Sequence, residues 1–288
     1  MAILKVDTIS GIGTEGPVFE GDIEFTSQNF LTLPKGDTTQ RGRGRGVFGG
    51  GNPGTAEGTM QYIEIQSQGN AIDFGDLTVA RQACGLASKI RGVFGGNAHP
   101  VGNTIDFITI ATTANATDFG DLTSSLNGRA SVSSDTRGIF AGGGTPTPSN
   151  VINFITIAST GDASDFSDLT LARRNHCGMC SPTKGVFAGG DSGSTTNVID
   201  SITIASQGVD ASDFGNLTDA RDHPYGASSS TRGVMGGGRD PNTTNIIDFI
   251  TIASTGNAID FGDLSSTSYY LTLPLLTALE QFGLEIVV

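Results

Sequence analysis

The chain has 288 residues, of which 42 are glycine and none is tryptophan, and its formal net charge is −13. This acidic balance argues against a nucleic-acid partner, because such binding needs a basic surface that displaces counterions. The sequence shows no apolar run long enough to span a bilayer and no secretory signal, so we expect no membrane insertion and assembly in a cytoplasm. An odd count of three cysteines argues against a disulfide framework.

Residues 1–44 come before the repetitive part of the chain, and their pattern predicts an extended arm. The stretch from Met1 to Ile9 alternates apolar and polar residues in part, as a strand does. A Leu-Pro-x-Gly-x-Thr-x-x-Arg phrase then runs from Leu33 to Arg41. This pattern resembles the leader segments of virion structural proteins in tailed bacteriophages, especially tail-fibre and appendage proteins of marine phages. The resemblance implies an attachment arm, and the alternative is a terminus that is disordered or pairs with a sheet edge.

From about residue 45 onward, one phrase recurs five times: Arg-Gly-Val-Phe-Gly-Gly, an Ile-rich stretch, and Asp-Phe-Gly-Asp-Leu. Subtracting successive positions gives steps of 45, 47, 48 and 47 residues between Asp-Phe pairs that begin at Asp73, Asp118, Asp165, Asp213 and Asp260. A fixed period of this size is typical of repeat architectures, in which each unit needs neighbours to bury its apolar face.

The third unit predicts four short strands separated by turn residues. Three of them cover residues 131–134, 137–143 and 150–157, and a fourth begins at Asp165. In the third strand, Ile152 and Phe154 point to one face, while Ile155 and Ile157 point to the other. Because both faces are apolar, both should be covered, as in a blade of a β-propeller.

A pair of glycines closes the second strand of every unit, where crowded inner strands require close backbone approach or a positive φ. The pairs are Gly49-Gly50, Gly95-Gly96, Gly142-Gly143, Gly189-Gly190 and Gly236-Gly237. In this feature the chain resembles the kelch family of propellers, although phenylalanine replaces the usual tryptophan in the Asp-Phe-Gly-Asp-Leu phrase. The resemblance implies an all-β fold: a five-bladed kelch-like β-propeller of four-stranded antiparallel blades over residues 45–274.

Five units supply only four first strands between them, so one blade needs a strand from elsewhere. Cys84 follows Asp76 by eight residues, and the same count from Asp263 reaches Leu271. We therefore predict that a C-terminal strand around Leu271 completes the first blade and removes exposed sheet edges. Residues 30–33 are the competing strand, and residues 275–288 form a C-terminal tail.

Several motifs that could suggest chemistry are predicted to be structural. Cys177 and Cys180 stand without the further ligands of a zinc site, and strand spacing places them on opposite faces. The Asp-x-x-Asp pairs of the recurring phrase supply few ligands for calcium and are predicted to cap turns. No serine, cysteine or carboxylate has an identifiable base partner, and the three histidines share no slot. We expect no catalytic residues, no metal and no cofactor.

Basic residues recur in two slots of the repeat, and both slots are predicted to pair with the recurring aspartates between blades. One slot holds Arg81, Arg173 and Arg221, and the other holds Arg91, Arg137, Lys184 and Arg232.

The loops after the glycine pairs differ most from unit to unit. Equivalent loops of a propeller cluster on one face, and recognition commonly occurs on such loops. They are polar and poor in aromatic residues, which argues against a strong glycan platform. We predict binding residues among them: Asn52, Glu57, Asn97, His99, Thr145, Asp191, Arg239 and Asp240.

These patterns together predict a non-enzymatic structural protein of a phage virion, located on the particle after assembly in the host cytoplasm. The protein would be a tail-fibre or appendage module that contacts other virion proteins through residues 1–44. Its propeller would bind a host-surface protein or glycan, and copies would form a homo-oligomer on the particle. The alternatives are a capsid decoration protein and a cellular kelch-type adaptor; an enzyme on a propeller scaffold ranks third.

Overall fold

The computed structural model describes residues 44–51, 55–65, 67–97 and 101–268. The arm predicted for residues 1–44 lies outside this part except for Gly44, as do the closing strand around Leu271 and the tail 275–288. All regular structure in the described residues is β, and none of them belongs to a helix that could cross a bilayer. The predicted all-β class is therefore confirmed.

The strands form five antiparallel blades in a propeller arrangement, as predicted. The first blade contributes three described strands, and each of the others has four. Blade 1 contains β1 (Arg45–Gly51), β2 (Glu57–Glu64) and β3 (Ile72–Asp76), and blade 2 contains β4 (Cys84–Ala87), β5 (Arg91–Asn97), β6 (Gly102–Thr109) and β7 (Thr117–Asp121). Blade 3 contains β8 (Ala130–Ser133), β9 (Arg137–Ala141), β10 (Val151–Thr156) and β11 (Ser164–Asp168), and blade 4 contains β12 (Cys177–Cys180), β13 (Lys184–Ala188), β14 (Val198–Thr203) and β15 (Ser212–Asn216). Blade 5 contains β16 (Tyr225–Ser228), β17 (Arg232–Gly236), β20 (Ile246–Thr251) and β21 (Ile259–Asp263), with a small hairpin of β18 (Arg239–Asp240) and β19 (Asn242–Thr243) in a loop.

Each blade is a meander whose register shifts at the same point. In blade 3 the ladder passes from the Ile152–Ser167 pair to the Asn153–Asp165 pair, so Phe166 is left outside the ladder. Such a bulge increases the local twist and redirects the extra side chain. The same shift recurs between the last two strands of the other four blades.

The bulged phenylalanines pack between blades. Phe74, Phe119, Phe166 and Phe214 are only 1–3% exposed. Backbone bonds run beside them, as where Ala163 N donates to Asp121 O across the junction of blades 2 and 3. Burying a side chain of this size contributes about 1.5–3 kcal/mol, so these residues hold successive blades together.

The predicted role of the glycine pairs is confirmed in blade 3. Gly142 and Gly143 have φ values of 61° and 96°. A Cβ added to Gly142 would lie 2.5 Å from the carbonyl oxygen of Arg173. Only glycine fits this conformation and this approach.

A buried ion pair crosses three of the blade junctions. Arg81 Nη1 lies 2.7 Å from Asp106 Oδ2, and both side chains are fully buried. The equivalent distances are 3.0 Å for Arg173–Asp200 and 2.9 Å for Arg221–Asp248. The prediction that this arginine slot pairs with aspartate is therefore confirmed. The aspartate lies in the third strand of the next blade and not in the Asp-Phe phrase.

Within the described residues, no member of the second basic slot forms an ion pair with an aspartate, so that prediction is wrong. Arg91 donates to the carbonyl of Ile157 at 2.9 Å and lies over the Phe107 ring at 4.4 Å. Arg137 likewise donates to Ile204 O and covers Phe154. The slot sits where a strand begins beside an aromatic ring, which offers cation–π contact in place of a carboxylate.

The junction of blades 2 and 3 replaces the ion pair with neutral residues. Leu126 occupies the arginine slot and Asn153 occupies the aspartate slot, where its Oδ1 accepts from Thr123 at 2.9 Å. At the junction that would join blade 5 to blade 1, called here the seam, the two slots hold Ser268 and Gln61. Phe261 of blade 5 is 55% exposed among the described residues, so the predicted closure by the C-terminal strand stays a prediction.

The charged arginine–aspartate junctions and the neutral Leu126–Asn153 junction together suggest a test of how much the buried ion pair stabilises the fold. The variant Asp200→Ala leaves Arg173 as a buried charge without a carboxylate, and we expect it to lower the free energy of unfolding by about 3–5 kcal/mol. The double variant R173L/D200N copies the Leu126–Asn153 combination and should lose clearly less. Urea unfolding followed by far-ultraviolet circular dichroism compares the three proteins, and a double variant as unstable as Asp200→Ala would contradict this account.

Candidate binding face

One end of the blades carries the loops that were predicted to bind. We call this end of the blades the loop face. It consists of the loops between the second and third strands and of the linkers that lead into the next blade. The loops are residues 143–150, 190–197 and 237–245, and the linkers are residues 122–129, 169–176 and 217–224. Each loop forms a backbone bridge to the linker that precedes its own blade: Asn127–Gly144, Arg174–Asp191 and Asp222–Arg239. Gly143 N and Gly190 N also donate to the carbonyls of Arg173 and Arg221 in the linkers that follow. Each loop is thus held between two linkers.

The linkers are joined to one another by residues in the left-handed conformation. Gly128, Asn175 and His223 occupy one slot and have φ values of 64°, 55° and 53°. Asn175 N donates to Gly128 O at 2.7 Å, and His223 N donates to Asn175 O at 2.8 Å. Positive φ is uncommon outside glycine and asparagine, so the inter-linker bonds offset a local conformational cost.

The same position of the loop face holds an arginine–aspartate ion pair in blades 4 and 5, but the arginine and the aspartate exchange places between loop and linker. In blade 4 the linker residue Arg174 donates through Nε to Asp191 Oδ2 of the loop at 3.0 Å. In blade 5 the loop residue Arg239 donates through Nε to Asp222 Oδ1 of the linker, also at 3.0 Å. Two of the predicted binding residues, Asp191 and Arg239, therefore hold their own loops in place.

The surroundings of Asp191 in the loop of blade 4 favour the charged form of its carboxyl group. Burial alone would raise its pKa, but the amide of Gly193, which donates at 2.8 Å, and the guanidinium of Arg174 together hold the pKa below the usual 3.8. The carboxylate is therefore charged at neutral pH.

Of the other predicted binding residues, some are exposed in the described residues and some lie outside them. Thr145 is exposed, with its hydroxyl bonded to Gly144 O, Asp240 is exposed in the β18–β19 hairpin, and Glu57 is exposed at the start of β2. Asn97 ends β5, and its side chain lies outside the description, as do Asn52 and His99 altogether. The loop face as described is thus formed by blades 3 to 5.

The motifs expected to be structural can now be placed. Cys177 and Cys180 are unbonded to each other, buried in β12, and belong to different core clusters, as their predicted opposite faces require. The Asp-x-x-Asp pairs lie in the outer strands, where the bulge lets the ladder continue through them. One of them also shows the predicted capping bond, because Gly262 N donates to Asp260 Oδ1 at 3.1 Å. Among the described residues, no three His, Cys, Asp or Glu side chains are grouped as metal ligands.

Sequence reasoning assigned no burial or packing role to two buried polar residues just before inner strands, Arg129 and His176. Both share the slot held by Ala83 and Pro224 in neighbouring linkers, and the only signal was a polar side chain in an otherwise apolar slot. His176 packs edge-on against Phe187, and neither ring nitrogen has a hydrogen-bond partner in the part of the chain that the structure describes. Burial, with the positive charges of Arg173 and Arg129, holds the pKa of His176 well below 6.5, so the ring is neutral at pH 7.

No protein-family model matches this chain, and no curated protein matches its sequence. The five-bladed propeller therefore stands on the geometry of the blades described above.

The neutral His176 predicts an acid-sensitive fold. Below pH 6.5 the unfolded chain binds a proton at this residue and the folded chain does not, so His176 lowers the free energy of unfolding by up to about 1.4 kcal/mol per pH unit. His176→Ala should remove that part of the slope between pH 7 and pH 5, measured by urea unfolding. Cys177→Ala is the control, because its neighbouring buried thiol has a pKa of about 12 and does not titrate there. An unchanged slope in His176→Ala would contradict the assignment.

Proposed function

We propose that this chain is a non-enzymatic binding protein of a tailed-phage virion, a kelch-like propeller that presents its loop face to a host-surface protein or glycan. The observation that carries the binding function is the loop face itself. Its loops take equivalent places in successive blades, differ in sequence, and are held by backbone bridges to the linkers. Variable loops on a fixed scaffold are a common basis of recognition.

The chemistry of the face favours a polar partner. Thr145 and Asp240 are exposed, the Arg174–Asp191 and Arg239–Asp222 pairs are partly exposed, and the loops carry no aromatic side chain. A partner would therefore be recognised by hydrogen bonds and charge, as at the polar rim of a protein interface, and less by stacking on sugar rings.

The virion assignment rests on a different part of the chain. The segment that ends in the Leu33–Arg41 phrase resembles the leader segments of tail-fibre and appendage proteins, which supports attachment through residues 1–44. A capsid decoration protein is the alternative that uses the same arm, and a cellular adaptor is the alternative without it. The position of the protein on a particle separates the three.

The virion assignment predicts where antibodies will bind. Antibodies raised against the propeller, residues 101–268, should label the tail region of purified particles in immunogold electron microscopy. Uniform labelling of the head would favour the decoration protein instead. Unlabelled particles, with the protein recovered only from the soluble fraction of the infected cell, would contradict the virion assignment.

The binding function predicts that charge on the loop face matters. Labelled full-length Asp240→Lys should bind intact host cells up to about fivefold more weakly than the natural protein, since one exposed ion pair contributes up to about 1 kcal/mol. Asp213→Lys makes the same charge change in the outer strand of blade 4, away from the face, and is the matched control. Equal binding by both variants would exclude the loop face of blade 5 from recognition.

A further inference from the structure

The four described junctions between consecutive blades are built from the same apolar residues. At each of them, the phenylalanine of one outer strand lies in one core cluster with two isoleucines and an alanine of the next blade. At the junction of blades 3 and 4 these residues are Phe166, Ile202, Ile204 and Ala211. The other sets are Phe74 with Ile108, Ile110 and Ala116, Phe119 with Ile155, Ile157 and Ala163, and Phe214 with Ile250, Ile252 and Ala258.

Hydrogen bonds accompany this packing at each of the four junctions. At the junction of blades 4 and 5, Ala258 N donates to Asn216 O at 2.8 Å, and Asn216 N donates to Asn257 Oδ1 at 3.0 Å. The equivalent bonds at the other three junctions measure 2.8–2.9 Å and 3.0–3.2 Å. One outer strand and one turn of the next blade therefore form a unit that repeats along the chain.

The outer strand of blade 5 presents one half of such a junction without the other half. Phe261 is 55% exposed, whereas its equivalents in blades 1 to 4 are 1–3% exposed. A Cβ added to Gly262 would meet no atom of the described residues within 4 Å, whereas one added to Gly215 in blade 4 would lie 2.3 Å from Gly256 O. Ile259, in the same strand as Phe261, is 60% exposed. This strand thus leaves a contiguous apolar surface uncovered in the described structure.

Blade 1 presents the matching half. Ile63, Ile65 and Ala71 occupy the isoleucine and alanine positions of the repeat, and we call them the receiving surface. The eight equivalent isoleucines of blades 2 to 5 are 1–4% exposed, but Ile63 and Ile65 are only half-buried and Ala71 is exposed. Residues 69–77 and 256–264 have the same sequence, Gly-Asn-Ala-Ile-Asp-Phe-Gly-Asp-Leu. Blade 1 therefore offers the same turn with which blade 5 contacts blade 4.

An arginine of blade 5 also lacks the acceptor that its equivalents have. Arg45, Arg91 and Arg137 each donate to an isoleucine carbonyl of the next blade at 2.9–3.1 Å. Arg232 holds this slot in blade 5, where it is exposed and lies over the Phe249 ring at 4.6 Å, without such an acceptor in the described residues. The corresponding isoleucine of blade 1 is Ile65, which belongs to the receiving surface.

The two halves belong to one chain but do not meet within it. The exposure of Phe261 and Ala71 shows this, and no backbone bond joins Ala71 to Asp263 in the described part of the chain. The terminal units of a repeat array normally carry polar outer faces, because exposed apolar faces associate. Here both end blades keep the residues of an internal junction. The surface that each half fits is therefore the other half on a second copy.

We propose that the seam is an interface between copies of this chain, in which Phe261 of one copy packs against the receiving surface of the next. The backbone of Asp263 then bonds to Ala71 N and Asn70 Oδ1, and Arg232 donates to Ile65 O. The contact is heterologous, since each copy uses blade 5 toward one neighbour and blade 1 toward the other, and it joins copies into a closed ring or an open chain. The inference depends on neither the loop face nor the virion assignment.

Analytical ultracentrifugation of the full-length protein tests this interface. The weight-average mass should rise above the 29.6 kDa of one chain as the protein concentration increases. Phe261→Ser should weaken the association by about ten- to a hundredfold, because it removes the largest apolar side chain of the interface. Val209→Ser is the matched control, because Val209 is 62% exposed in a turn of blade 4 away from the seam, and it should associate like the natural protein.

A mixture of two variants tests the head-to-tail arrangement. Phe261→Ser removes only the blade 5 half and Ala71→Arg removes only the receiving surface, so each alone should sediment as a monomer where the natural protein associates. Their equimolar mixture should form a species of twice the mass of one chain, because one intact half remains on each partner.

Both substituted residues are exposed within the chain, so both variants should keep the far-ultraviolet circular dichroism spectrum and the Tm of the dilute natural protein. A natural protein that stays monomeric at every concentration would overturn the proposal. A Phe261→Ser variant whose Tm falls in dilute solution would do the same, because the seam would then be covered within one chain. A mixture of the two variants that remains monomeric would also overturn it.

Discussion

The whole fold depends on the fact that a blade cannot bury its own outer strand and must use the next blade to do so. The bulge in the outer strands of blades 1 to 4 turns a phenylalanine such as Phe166 out of the ladder and into that neighbour. Backbone bonds of the Ala163–Asp121 type then fix the separation of the two blades. Because the four described junctions repeat this geometry, the residues that form them recur from blade to blade, and the sequence varies most in the loops.

The junction also decides where charge can be buried. Three junctions hold an arginine and an aspartate together, and the junction of blades 2 and 3 loses both, with Leu126 and Asn153 in their places. Changing one member alone would leave an uncompensated charge, so the two slots vary together among the repeats. At the seam, Ser268 and Gln61 are again both neutral, which is the combination expected if the last linker faces blade 1.

The sequence was sufficient to predict the all-β class, the five blades and the role of the glycine pairs, because each depends on residues that recur at a fixed period. The partners of Arg81 could not be predicted, since Asp106 lies 25 residues away on another blade and resembles any polar residue of a buried strand. The aspartates of the recurring phrase were the more visible candidates, yet they lie on outer strands. The Arg174–Asp191 and Arg239–Asp222 pairs could not be predicted either, because the two slots that form them carry opposite charges in successive repeats.

In a repeat protein, each unit serves as a control for the others, and the informative residues are departures that lack compensation. Leu126 departs from its slot, but Asn153 departs with it. Arg239 reverses the charge of its slot, but Asp222 reverses the partner. Arg129 alone among these brings a buried charge with no change elsewhere in the described residues to balance it. Burial lowers the pKa of the Arg129 guanidinium, so this position carries a free-energy cost that the carboxylates beside Arg81, Arg173 and Arg221 offset at the other junctions.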